Sequence, residues 1–323
     1  MRDTELVCTE LGREIDRLKG EGFRLDLIYP ADEPHTAVLS RDGGTVRVTT
    51  RPGEQLTGDL PPFEPRFVLT RAGGGAGEGR AGMLYRDLIP DRLGGRYIAS
   101  HITIADGGPV SDWVHYHDVR FQIIYVRKGW VRVVYEDQGE PFVMEAGDLV
   151  LQPPEIRHRV LESAAGLEVV EISCPAAHPT YADHDLDLPN TSGDASRRWS
   201  GQLFLMHVAA KTPWTPFRGG EAQETGIGHA TDGFADVRTI RSGGDALRFD
   251  AHDGELVFGF VLDGSAMLDC RGAHSLGPAD SFVVPPGEAF AITDASPDFR
   301  LLHVTTARAD WKSGLAASGS SPL

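Results

Sequence analysis

One strand-rich pattern occurs twice in this chain, and the repeat limits the fold more than any other feature. Val126-Arg127-Lys128-Gly129 recurs as Val261-Leu262-Asp263-Gly264, and residues 148–155 recur as 280–287, each with its Pro-Pro pair. Self-similarity at a fixed spacing signals two copies of one architectural unit. In the first copy, β-branched and aromatic runs at 97–104, 122–126, 131–135, 149–152, 157–161 and 167–172 alternate with turn residues, which predicts strands. Residues 203–308 repeat that texture.

The first copy carries a chemical pattern that the second lacks. His115 and His117 are two positions apart, so on a strand they point to the same side. Gln122 follows five residues later, and His158 closes a block opened by Gly147-Asp148. Neighbouring strands can aim three imidazoles and one amide at a single point, a ligand set for a divalent transition metal.

With their flanking glycines, these residues resemble the two motifs of the cupin superfamily. His115, His117, Gln122 and then Gly129 follow the first motif, and Gly147-Asp148, Pro153 and His158 follow the second. The resemblance implies a mainly β fold, with two jelly-roll (cupin) β-barrels in one chain. It also implies one metal per chain held by His115, His117, Gln122 and His158, with iron(II) favoured and nickel, zinc, manganese or copper open. Two positions depart from the family. Gln122 stands where the family usually has Glu. Glu155 stands at a turn where the family usually has Gly, and a positive φ there strains any other residue. Counted back from Gly264, the second copy has Asp250, His252 and Val257, with Phe290 opposite His158, so no metal is expected there.

The remaining segments read as accessories. A small α+β module is expected over 1–70, with a helix at 4–19 and strands at 24–29, 36–39 and 45–50. A Gly-rich linker follows at 71–83, then barrel 1 at 84–175, a polar linker at 176–202, barrel 2 at 203–308 and a tail at 309–323. His178, Asp183, His184 and Asp185 read as a solvated loop. The formal charge of −16, without a basic stripe, argues against nucleic acid. No apolar run is long enough to span a membrane. Three scattered cysteines and the absence of a signal-peptide order at the start make a cytoplasmic protein the expectation.

Three functions fit these residues, the first of them favoured and the others alternatives to it. An active first barrel beside a degenerate second one looks like the gentisate and hydroxynaphthoate ring-cleaving bicupins, which implies a non-haem iron(II) dioxygenase. A His-His-Gln-His set is similar to that of uronate ring-opening enzymes and polyketide cyclases, which implies a non-redox lyase, isomerase or cyclase. A non-catalytic small-molecule binder is the third. A neutral ligand set leaves the metal's full charge, so a small carboxylate, phenolate or enolate is the expected substrate. Arg96 and Arg120 are the candidate anchors for it, Trp113, Tyr116 and Tyr125 are candidate wall residues, and Glu155 and Asp118 are candidate proton carriers. A homodimer stays open.

Overall fold

The computed structural model describes residues 4–54, 56, 60–75, 77–78, 83–190 and 193–308. The 309–323 tail and part of the Gly-rich stretch lie outside the described residues. No helix among the described residues is long and apolar enough to cross a membrane.

Alternation along the strands builds the barrels. On strand Phe121–Lys128, Phe121, Ile123 and Tyr125 face the second barrel, while Gln122 and Val126 turn the other way. Its neighbour Leu167–Cys174 sends Val170, Ile172 and Cys174 to the same inter-barrel core, leaving Val169, Glu171 and Ser173 with the opposite parity. The second barrel answers with Leu256, Phe258, Phe260, Leu302 and Val304. Period-two alternation thus gives each strand one face in its own barrel and one in a shared apolar interface.

Each barrel lends the other a strand. Val68–Thr70, which precedes the first barrel in sequence, pairs with Ser281–Val283 of the second. Leu205–His207, which precedes the second, pairs with Leu149–Leu151 of the first. The exchange is matched in detail. Asp148 accepts the backbone N–H of Ala209 at 2.9 Å, and its repeat partner Asp280 accepts that of Ala72 at 2.8 Å. The conserved spacing of the repeat therefore encodes the clasp as well as the barrels.

The N-terminal residues join the first barrel directly. Strands Arg24–Tyr29, Thr36–Arg41 and Gly44–Thr49 form where strands are expected. The expected 4–19 helix is shorter: Thr4–Val7 is a strand parallel to Gly44–Thr49, and the helix covers Leu11–Gly20. Leu6 serves the same small core from a strand that helical spacing assigned to the helix. Leu27 and Ile28 pair with Tyr181 and Thr180, and the far edge of Thr180–Ala182 pairs with His115–His117. One continuous ten-stranded sheet therefore runs from residue 4 to the histidines.

In the second barrel an extra residue changes the register. Phe249 lies opposite Phe290 as His115 lies opposite His158. His252 still matches His117, since each backbone carbonyl accepts from the following turn, from Gly287 N–H at 2.7 Å and from Glu155 N–H at 3.0 Å. Three positions in place of two push Asp250 outward, where its side chain is 96% exposed. A one-residue slip reverses a side chain's face, which simple counting from Gly264 cannot see. Phe249 and Phe290 stack with centroids 4.3 Å apart.

His303 sits beneath that stack, at the position that Glu171 holds in the first barrel. Burial, reinforced by Arg238, Arg218 and His252, lowers its pKa to about 3. The folded state keeps the ring neutral, whereas the unfolded chain takes up a proton near pH 6.5. Stability from this residue is therefore lost as pH falls from about 6.5 towards 3. His303→Phe is expected to abolish that part of the slope, a gain over wild type of roughly 2–3 kcal/mol at pH 4.5 relative to pH 7. Urea unfolding at both pH values measures it, and identical slopes in the two proteins would contradict a buried neutral imidazole.

Candidate metal centre

His115 and His117 come from one short strand and His158 from its antiparallel neighbour, directly opposite His115. All three are buried, and each offers a ring nitrogen within 4.8 Å of the others. They are the one group of three or more His, Cys, Asp or Glu side chains among the described residues that converges in this way. The His115 and His158 rings are closest, with centroids 4.2 Å apart.

The surroundings orient each ring. His115 Nδ1–H donates to the carbonyl of Trp113 at 2.7 Å, and His158 Nδ1–H donates to that of Ile156 at 3.0 Å. A carbonyl can only accept, so both neutral rings carry their lone pair on Nε2. His117 Nδ1 is hydrogen-bonded to Thr180 Oγ1 at 3.0 Å, and Asp112 Oδ1 lies 3.6 Å from His115 Nδ1. Outer partners of this kind fix tautomer and direction in metal-binding histidines. Three such imidazoles, each with a nitrogen turned to a common point, would suit a divalent transition metal. Thr180→Val is expected to weaken metal affinity about 10–100-fold, measurable by competition with a chelator.

Gln122 is buried, and both ends of its amide are engaged. Its Oε1 accepts from Gln152 Nε2 at 2.9 Å, and its Nε2 donates to Glu171 Oε1 at 2.8 Å. Gln152 in turn accepts from the Tyr135 hydroxyl, and Ser173 donates to Glu171 at 3.2 Å. Burial drives the Tyr135 phenol pKa well upward, so it stays a donor. The result is a directed chain from Tyr135 through two amides to a carboxylate.

The candidate anchors lie elsewhere. Arg96 is buried with its Nε 3.7 Å from Glu255, a residue of the second half. The Arg120 guanidinium lies 4.4 Å from the Phe234 ring centroid, again towards the second barrel. Trp113 meets His115 edge-on at 5.1 Å, Tyr116 stacks on Tyr181, and Tyr125 lies in the inter-barrel core. Asp118 and Glu155 are exposed. Glu155 has φ +63° where Gly287 has +83°, so the turn does keep its left-handed backbone.

A small pocket, partly open to solvent, adjoins His117. Its other walls are Glu171, His178, Thr180, Ser100, Ile98 and Tyr85, with Ala31 and Asp32 from the N-terminal segment. His178 was expected in a solvated loop, yet it is buried and meets the His117 ring at 5.4 Å. The loop is held in place because Thr180–Ala182 is a strand between the N-terminal hairpin and the His115–His117 strand. Asp183 pairs instead with Arg157, and His184 bonds the Leu25 carbonyl.

With this geometry in place, known proteins supply a frame. The family described as cupin domain matches residues 100–172. No curated protein matches the sequence. Among solved structures, a mutant of Bacillus subtilis oxalate decarboxylase superposes with TM-score 0.52 and 10% identity, covering 80% of each chain. Protein Ylba from E. coli gives TM-score 0.51 and 10% identity over 77% of this chain and 94% of its own. A putative glyoxylate-induced protein from Pseudomonas aeruginosa gives 0.51 and 13%, over 79% and 94%. At these identities the likeness is one of fold. Residues 100–172 thus match the cupin domain, and the chain as a whole shares the two-barrel fold of these structures, with the three converging histidines in its first barrel.

Proposed function

We propose that the first barrel is a metal-dependent active site that moves protons on a small oxygen-bearing organic substrate, as a lyase, isomerase or cyclase. The observation that carries this reading is that Glu171 and His178 face the same cavity as the metal-site residue His117. His115, His117 and His158 would hold the metal, and Gln122, through its amide oxygen, is the fourth candidate. When bound, the metal supplies Lewis acidity towards a substrate oxygen. Glu171 accepts the substrate proton, while Gln122 and Ser173 hold its carboxylate in position. His178 is kept neutral by burial, with Nδ1–H on the Pro175 carbonyl, so its Nε2 faces the substrate as an acceptor. Barrel 2 braces this site through the shared core and the exchanged strands.

A second reading, an iron(II) dioxygenase, is favoured by the all-imidazole triad, which leaves coordination positions open for a substrate and dioxygen. The two are separated by following turnover in an oxygen electrode and, in parallel, solvent deuterium entering the product. Deuterium incorporation without oxygen uptake supports proton transfer. Stoichiometric oxygen uptake would replace it with the oxygenase.

A further inference from the structure

The cavity wall has a one-sided hydrogen-bonding character. Its two charged side chains are Asp32 and Glu171, and neither Arg nor Lys lines it. Asp32 is anchored by its Oδ2, which accepts from Arg92 at 2.6 Å. Its Oδ1 is buried and has no hydrogen-bond partner among the described residues. His178 is 2% exposed, and its Nε2 is likewise buried without a partner. Its Nδ1–H is spent on the Pro175 carbonyl at 2.9 Å, so the unpartnered nitrogen is an acceptor. Two buried acceptors left without donors in one pocket are costly, at roughly 1–3 kcal/mol each, unless water or a ligand group satisfies them.

We propose that this pocket is a subsite for a hydrogen-bond-donating group, a hydroxyl or a protonated amine, on the part of the substrate that does not bind the metal. Asp32 Oδ1 and His178 Nε2 accept from that group, and Glu171 closes the third side. The inference rests on the metal-site reading for the other end of the substrate. It reverses the expected polarity of this end, because Arg96 and Arg120 are turned away and an anionic group here would face two carboxylates. It also gives the N-terminal segment a task. The 30–35 turn that follows Arg24–Tyr29 carries Asp32 into the wall, and the continuous sheet and Arg92 hold it there.

The test uses acids that share a metal-binding carboxylate and differ at the far end. Full-length protein loaded with cobalt(II) is titrated with propanoate, 3-hydroxypropanoate, 3-aminopropanoate and malonate, and with the four-carbon set of butanoate, 4-hydroxybutanoate, 4-aminobutanoate and succinate. The cobalt absorption spectrum reports binding. In at least one set, the hydroxy or amino acid is expected to bind about 10–100-fold tighter than the unsubstituted acid. A preference for the amine points to an ammonium substrate, and a preference for the alcohol to a polyol or hydroxy acid. In Asp32→Asn, Arg92 keeps the side-chain oxygen, which turns the amide N–H into the cavity. The amino acid is then expected to lose about tenfold or more, while the diacid gains. Equal affinities across both sets, or tightest binding of the diacid to the wild-type protein with no change in Asp32→Asn, would overturn the subsite. A protein that takes up no cobalt would instead defeat the metal-site reading, so the two failures look different.

Discussion

Replacing His158 with alanine is expected to lower bound metal from about one per chain to below about a tenth, and to remove activity with it. His158 is one of three converging imidazoles, and its partner across the ladder, His115, shares one short strand with His117. Two imidazoles cannot hold a divalent ion against water and buffer as three do. The loss therefore exceeds the roughly 10–100-fold that removal of an outer partner costs. The fold should survive, because the His158–Ser163 strand keeps its ladder to Trp130–Tyr135. The truncation opens space beside Tyr135, whose ring stacks on the imidazole at 5.4 Å. Metal content by plasma mass spectrometry, on protein made without a histidine tag, gives the measurement, with circular dichroism to show that the barrels remain. His252→Ala serves as the control. That residue matches His117 in register, but its Nε2 bonds the Val284 carbonyl at 3.0 Å, and Phe249 and Phe290 face each other where the first barrel has His115 and His158. A full metal equivalent in His158→Ala would refute the site.

The parts of this centre differ in how visible they were in the amino-acid sequence, for physical reasons. His115 and His117 stand two apart on one strand, and period-two geometry alone brings them together. His158 could be added because a glycine-bounded turn placed its strand next to theirs. Glu171 has no such marker. It reaches Gln122 only because Gln122 pairs with Ser173 across two antiparallel strands, which sets Glu171 one step along the same inner face. Knowing that requires the strand order, which local patterning does not provide. Asp32 and His178 are still less legible. Each lies in a Pro-containing segment that composition assigns to a turn or a solvated loop. They meet because Thr180–Ala182 bridges the N-terminal hairpin to the barrel. Arg96 and Arg120 present the opposite difficulty. Strand parity puts a side chain on one of two faces, and here the face away from the cavity is buried as well, against a second barrel.

Glu171→Gln is expected to cut turnover by about 10²–10⁴-fold while leaving metal content unchanged, the range that a positioned general base contributes. The substitution keeps size and shape and removes the proton-accepting charge. Gln122 Nε2 and Ser173 Oγ now donate to Glu171 Oε1. The new amide can offer them its oxygen, so the chain from Tyr135 through Gln152 and Gln122 stays hydrogen-bonded. The Glu171 carboxylate is separate from the three imidazoles, so the metal should remain. Three measurements discriminate the roles: metal content, kcat against KM, and exchange of the substrate proton with deuterated solvent. Loss of exchange and kcat at constant metal identifies Glu171 as the proton acceptor. Loss of metal would make it a ligand that replaces the charge absent at Gln122. Activity within about threefold of wild type would mean that proton transfer falls to another group in the cavity, with His178, across the same space and next to His117, the first to be tested.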